Sequence, residues 1–199
     1  MVYDDFSDAS LMVLVCSGKH DAFAEIVARH TDRYYLLAFR TLNNVGDAED
    51  VVQNAFIKLW QKPTAWNSEK SQFTTWFYRV VINACHDHLR KRKHQILASE
   101  EIIDAAVEPA LSEQALLESS QQNDLQDKRL REAIISLPSS QRDVINLVVF
   151  LELPQRQAAE VMGVSLKAVE SLLVRAKRNL CSRIENQQNE QPVALANNV

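Results

Sequence analysis

Apolar residues recur at helical spacing over most of the chain. "SDASLMVLVCSGKHDAFAEIVARHTDRYYLLAFRTL" predicts two helical runs broken once at Gly18, with Asp21 placed to cap the second. "NNVGDAEDVVQNAFIKLWQKP" opens on turn residues and predicts an amphipathic helix from about Ala48 to Gln61, ended by Pro63. "TAWNSEKSQ" reads as a polar loop, and "FTTWFYRVVINACHDHLRKRK", Phe73 to Lys93, as the next helix. The pattern then lapses. Residues 96–126 are acidic and rich in Ser and Gln, with Pro109 inside, and predict a flexible linker. Helical spacing resumes at Asp127 and runs to about residue 185, before a polar tail over 186–199 that is expected to be unstructured. The expectation is an all-α fold: two small helical domains, 1–95 and 127–185, joined by an acidic linker.

Composition agrees. Only three glycines and five prolines among 199 residues favour long helices, and 46% hydrophobic content suffices for a core. No run of about eighteen apolar residues occurs, so no membrane span is expected. The opening "MVYDDFSD" is acidic where a secretory leader needs cations, which points to the cytoplasm. Cys16, Cys85 and Cys181 are far apart, which argues against a disulfide framework. "CHDH" over Cys85–His88 is no metal motif, because adjacent residues of a helix diverge. The same divergence keeps His86, Asp87 and His88 from converging on a substrate, so neither a metal, a cofactor, a small-molecule substrate nor an enzymatic activity is expected.

Net charge is −4, which on its own disfavours nucleic acid. Its distribution reverses that reading. Residues 1–98 carry 12 Lys+Arg against 11 Asp+Glu, residues 99–136 carry 3 against 9, and residues 137–199 carry 7 against 6. The acidity thus sits in the middle, while cations cluster at Arg90–Lys93 and at Arg175, Lys177, Arg178 and Arg183.

"LPQRQAAEVMGVSLKAVESLLVRAKRNL" has the layout of a helix-turn-helix. Pro154 suits a first turn, Ala158, Ala159, Val161 and Met162 give an apolar side, and Gly163 suits a helix end. Val164 is expected to pack in the turn, and Ser165 to cap the second helix. Val169, Leu173, Ala176 and Leu180 then face the core. Lys167, Ala168, Glu170, Ser171 and Val174 are left at the front, and Arg175 and Arg178 extend toward phosphates. At the front, Glu170 can accept from a cytosine amino group, Ser171 can donate or accept, and the Ala168 methyl can touch thymine. A solvated helical hairpin is the plainer alternative.

The 73–93 helix carries rings at one end and cations at the other. Phe73, Trp76, Phe77 and Val80 can be a core stripe with a solvated basic end. Exposed rings beside cations also suit single-stranded DNA, where bases stack and the backbone follows the charge. Composition alone favours the core stripe.

"DAEDVVQNAFIKLWQ", "FTTWFYRVVINACHDHLRKRK" and "LPSSQRDVINLVVFLELPQRQAAEVMGVSLKAVESLLVRAKRNL" resemble bacterial extracytoplasmic-function (ECF) sigma factors, minimal members of the sigma-70 family. The resemblance covers roughly residues 8–95 and 127–184, in order and with the right gap. It implies that residues 1–95 bind core RNA polymerase and open the minus-ten promoter element. Asp50, Gln53, Asn54, Ile57 and Trp60 match the polymerase-binding helix. The loop with Trp66, Asn67, Ser68 and Lys70 matches the one that captures a flipped base. Trp76, Tyr78, Arg79, Asn83, His86, Arg90 and Arg92 match the helix that holds the non-template strand.

The second domain is implied to read the minus-thirty-five element through Ser165, Lys167, Ala168, Glu170, Ser171, Val174, Arg175 and Arg178. The acidic linker is implied to thread toward the RNA exit path, and an anti-sigma factor, often membrane-bound in such families, is implied as a partner that holds the protein at the inner membrane face. Recognition helices of the family often carry Thr, Lys and Arg where this chain has Ala168, Glu170 and Leu172, so its promoter sequence cannot be carried over. The competing function is a stand-alone helix-turn-helix regulator, which leaves the first domain without a role.

Overall fold

The computed structural model describes residue 3 and residues 5–99 and 129–189. The expected acidic linker and polar tail fall mainly outside the described residues. The chain divides into two compact units, Met1–Ser112 and Glu113–Val199. Among the described residues there are helices and turns and no strand.

In the first unit, α1 (Asp8–Cys16) is capped by Ser7, whose Oγ accepts from the Ser10 N–H at 3.2 Å. Gly18, at φ +79°, turns the chain into α2 (His20–Leu42). Asp21 does not cap α2 as expected. The N-cap is Lys19, without a side-chain hydrogen bond, and Asp21 lies inside the first turn, where only its charge favours the helix, by complementing the dipole.

Two asparagines make the next corner. Asn43, at φ 52°, closes α2 by donating its N–H to Phe39 O at 2.7 Å. Asn44 caps α3 (Val45–Gln61), its Oδ1 accepting from the Asp47 N–H at 2.9 Å. This cap starts α3 three residues before the expected Ala48. A 3-10 turn over Pro63–Ala65 follows, then the loop, then α4 (Phe73–Ser99).

Both α2 and α3 pack on α4. Phe77 is fully buried where they meet, its ring 4.7 Å from Tyr34, 4.9 Å from Phe56 and 5.5 Å from Phe73, centroid to centroid. Of the expected core stripe, Phe73 and Phe77 are buried, whereas Trp76 and Val80 are half-buried. Tyr78, Val81, Ile82 and Cys85 complete the buried side. Because two helices cover α4, the buried arc is wider and rotated toward them.

In the second unit, residues 129–135 (α5) precede α6 (Ser139–Ile145), which runs into a π-helical turn, Asn146–Phe150. Then come α7 (Gln155–Met162) and α8 (Leu166–Asn189). The core gathers Ile134, Leu137, Val144, Leu147, Ala158, Val161, Val169 and Ala176. The Asn179 side chain donates to Gln141 Oε1 at 2.8 Å, tying α8 to α6. The Arg142 guanidinium donates to the carbonyls of Ile135 and Leu137, closing the end of α5.

Gly163 ends α7 at φ 66°, as expected of a helix-turn-helix. Pro154 occupies the N-cap of α7, one place before the expected first turn. Val164 does not pack in the turn: it is 39% exposed, because its N–H reaches back to Ala159 O at 3.0 Å while its side chain points outward. Ser165 is the expected cap, its Oγ accepting from the Ala168 N–H at 3.2 Å. Replacing Ser165 with Ala is expected to lower the stability of this unit by about 1 kcal/mol in denaturant titration. An unchanged midpoint would mean that the cap contributes nothing.

Candidate polymerase and nucleic-acid interfaces

Three surfaces collect the expected site residues. The first is the outer face of α3. Ala48, Val51, Val52, Ala55, Phe56 and Leu59 are buried, and the opposite side presents Asp50, Gln53, Asn54 and Ile57 to solvent. At about 100° per residue these positions share one face. Ile57 is 45% exposed at its centre. Trp60 is half-buried, propped by Phe23 at 5.0 Å and His20 at 4.6 Å, both at the start of α2. Those two supports were not singled out in the sequence. Their spacing of three on α2 was visible, but nothing indicated which helix they would meet.

The second surface joins the 66–72 loop to α4. Trp66 is half-buried, its Nε1 donating to Ser71 O at 3.1 Å and its ring edge-on to Phe73 at 5.8 Å. Asn67 Oδ1 accepts from the Glu69 N–H at 2.8 Å, and Asn67 O from the Lys70 N–H at 3.2 Å. The loop is therefore a turn with exposed Asn67, Ser68 and Lys70 on a fixed indole. Along α4, Trp76, Arg79, Asn83, His86 and Arg90 fall on one exposed or half-exposed stripe. Arg90 pairs with Asp87 at 2.7 Å on the open surface, a weak restraint.

Two of the expected DNA residues lie elsewhere. Tyr78 is only 3% exposed, its ring 5.0 Å from Tyr34, and burial raises its phenol above the ordinary range, with Arg33 opposing. It is a core residue, not a stacking platform. Arg92 points to the other side of α4, where Asp47 holds it at 3.6 Å and His88 at 3.3 Å. Asn44, Lys91 and Gln95 complete a polar groove there. Cys85 is buried while His88 faces Asp47, so "CHDH" does divide between environments.

Behind the loop lies a third feature that periodicity could not show. His30 Nε2 lies 2.9 Å from Asp8 Oδ2, and the His30 ring is 5.7 Å from Phe73. Arg29 donates to the carbonyls of Tyr3 and Phe6 at 2.6 Å each. The hydrogen bond from His30 holds the Asp8 carboxyl below its ordinary value against the opposing effect of burial, with the charges of His30 and Arg29 adding to it. A depressed folded-state pKa contributes stability above the unfolded carboxylate range, about pH 4, which is lost as pH falls through the folded value. Asp8→Asn is therefore expected to lower stability at neutral pH and to flatten its decline below about pH 4. Equal pH slopes in variant and wild type would contradict the pairing.

The last surface is the front of α8. Lys167, Glu170, Ser171, Val174, Arg175 and Arg178 are exposed, and Ala168 is half-exposed. Arg175 folds back on Ser171, its Nη2 donating to Oγ at 3.0 Å and its Nε to the carbonyl at 3.3 Å. Ser165 sits at the entry as the cap.

A bundle with a ring-and-cation helix, and a second unit ending in a capped helix-turn-helix, define a DNA-reading transcription factor. Comparison with known proteins narrows the class. Residues 26–95 match the model for Sigma-70 region 2, and residues 127–180 that for Sigma-70, region 4. The chain is 29% identical over 181 residues to the ECF RNA polymerase sigma factor SigW of Bacillus subtilis (strain 168), covering 86% of this chain and 94% of that one. It is 27% identical over 188 residues to the RNA polymerase sigma factor CnrH of Cupriavidus metallidurans, covering 90% and 95%. Its fold is that of CnrH solved in complex with the cytosolic domain of CnrY, with a TM-score of 0.65 at 24% identity over 90% of this chain and 97% of that one. The sigma factor RpoE of Bartonella quintana, solved with the anti-sigma factor NepR, gives 0.63 at 22% over 82% and 96%. The chain belongs to the sigma-70 family, among its ECF sigma factors.

Proposed function

We propose that the chain is an alternative sigma factor that binds core RNA polymerase, opens the minus-ten element with its first unit and reads the minus-thirty-five element with its second. The observation that carries this reading is the division of α3. One side is sealed into the ring core, and the other leaves Asp50, Gln53, Asn54 and Ile57 on a single solvent face beside a propped Trp60. Such a face on a rigid helix is a docking surface for another protein.

The working partition is 1–95 for polymerase binding and minus-ten opening, 96–126 for the acidic tether, 127–185 for minus-thirty-five reading and 186–199 for the tail. α4 continues to Ser99 and α8 to Asn189, a few residues past these limits. For minus-ten DNA the proposed set is Trp66, Asn67, Ser68, Lys70, Trp76, Arg79, Asn83, His86 and Arg90, with Tyr78 supporting from within. An anti-sigma factor completes the system. Two similar solved sigma factors were captured with protein partners, CnrH with the cytosolic domain of CnrY and RpoE with the anti-sigma factor NepR. No helix among the described residues is long and apolar enough to cross a membrane, and the proposed site of action is the cytoplasm, with any membrane attachment supplied by that partner.

Reconstituted transcription tests the reading. The purified chain, sigma-free core polymerase and fragmented host DNA are expected to yield discrete starts sharing two upstream elements. Absence of both core binding and starts, with tight duplex binding by the chain alone, would favour a stand-alone regulator.

A further inference from the structure

The front of α8 is poor in the side chains that most often read bases. No Arg, Asn or Gln lies between Leu166 and Val174, so Lys167 is the one side chain there with a donor suited to a purine edge. Arg175, next along, is folded onto Ser171 by two hydrogen bonds. Amid the polar Lys167, Glu170 and Ser171, the front also presents one apolar side chain. Val174 is 58% exposed, the most exposed of the large hydrophobic residues among the described residues of this unit. Lys167, Arg175 and Arg178 border it with positive charge, which suits phosphates on either side of a groove. Lys167 and Val174 lie seven residue steps apart, about 10 Å of helix axis, or about three base-pair steps.

We infer that Val174 is a specificity-determining residue that reads a thymine 5-methyl group in the major groove of the upstream promoter element. The inference rests on the sigma-factor reading above. Apolar contact with the thymine methyl is the one direct readout open to a valine, and the methyl is the feature that separates thymine from uracil. Ala168, six residues and about 1.7 turns earlier, is too short and too recessed to replace it.

The test uses the full chain bound to core polymerase. Promoters mapped by reconstituted transcription are resynthesised with deoxyuridine in place of each thymine of the upstream element in turn, and holoenzyme binding is measured for wild type and for Val174→Ala. At one position, removing the methyl is expected to weaken wild-type binding about fourfold, the worth of one buried methyl-sized group. The same replacement is expected to leave the Val174→Ala holoenzyme unchanged. Uracil effects of equal size in both proteins would place the methyl's influence in DNA shape and overturn the inference, as would an upstream element without thymine. Absence of promoter-selective starts would instead overturn the sigma-factor reading and the inference with it. Val174 is exposed, so circular dichroism of the variant is expected to match wild type, and a lost helix signal would disqualify that variant in favour of Val174→Thr, which retains one methyl and the branched shape.

Discussion

Phe77→Ala is expected to destabilise the first unit by about 3–5 kcal/mol, the range for removing a buried aromatic ring. Phe77 has no exposed surface and meets Tyr34, Phe56 and Phe73 at 4.7–5.5 Å. Each of those rings belongs to a different part of the bundle: Tyr34 to α2, Phe56 to α3 and Phe73 to the start of α4. Deleting the shared ring opens a cavity that three helices border, and close packing limits how far they can collapse into it. Whole domains are stable by only about 5–15 kcal/mol, so this one change removes a large fraction. For a unit of about 100 residues the melting temperature should fall by on the order of 20 °C. Trp76→Ala, at a half-buried neighbour, should fall less. If the two variants melted together, the ring cluster would not be the keystone of this unit.

The second large effect concerns binding and should leave the fold intact. Ile57→Asp places a carboxylate in the middle of the outer α3 face, at a position that is 45% exposed in the free protein. Folding has little to lose there. Docking has much to lose, because the partner must cover an unpaired charge where it had covered an apolar side chain. Central interface residues commonly carry 2 kcal/mol or more, so core polymerase binding should weaken by about 30-fold to 1000-fold. Titration of labelled core polymerase measures this, with far-UV circular dichroism as the control for folding. Wild-type affinity in a folded variant would remove the α3 face from the polymerase interface.

The limits of sequence reasoning show at particular residues. The division of α3 was legible because its buried residues repeat at helical spacing and one partner side suffices to order them. The helix-turn-helix was legible because Gly163 and Ser165 mark its turn by local backbone chemistry. Tyr78 was not. It follows Trp76 and Phe77 directly, and only the fact that α4 is flanked by both α2 and α3 decides that its ring goes inward. Arg92 was misplaced for a related reason. Consecutive residues of a helix are about 100° apart, so a basic run cannot aim all its charges at one ligand. Arg92 is the member that meets Asp47. Asp8 and His30 are 22 positions apart, beyond the reach of any local pattern.

The corner at Asn43 and Asn44 has a mechanical consequence. One asparagine terminates α2 and its neighbour starts α3, so the joint contains no slack. α3 is also clamped to α4 through Phe56 and Phe77. A load applied to the outer side of α3 therefore has no compliant element in which to dissipate, and it is delivered to α4. The bundle is therefore expected to move as one stiff body, the outer side of α3 and the Trp76–Arg90 stripe of α4 turning together. Whatever fixes the outer side of α3 would thereby fix the direction in which that stripe faces.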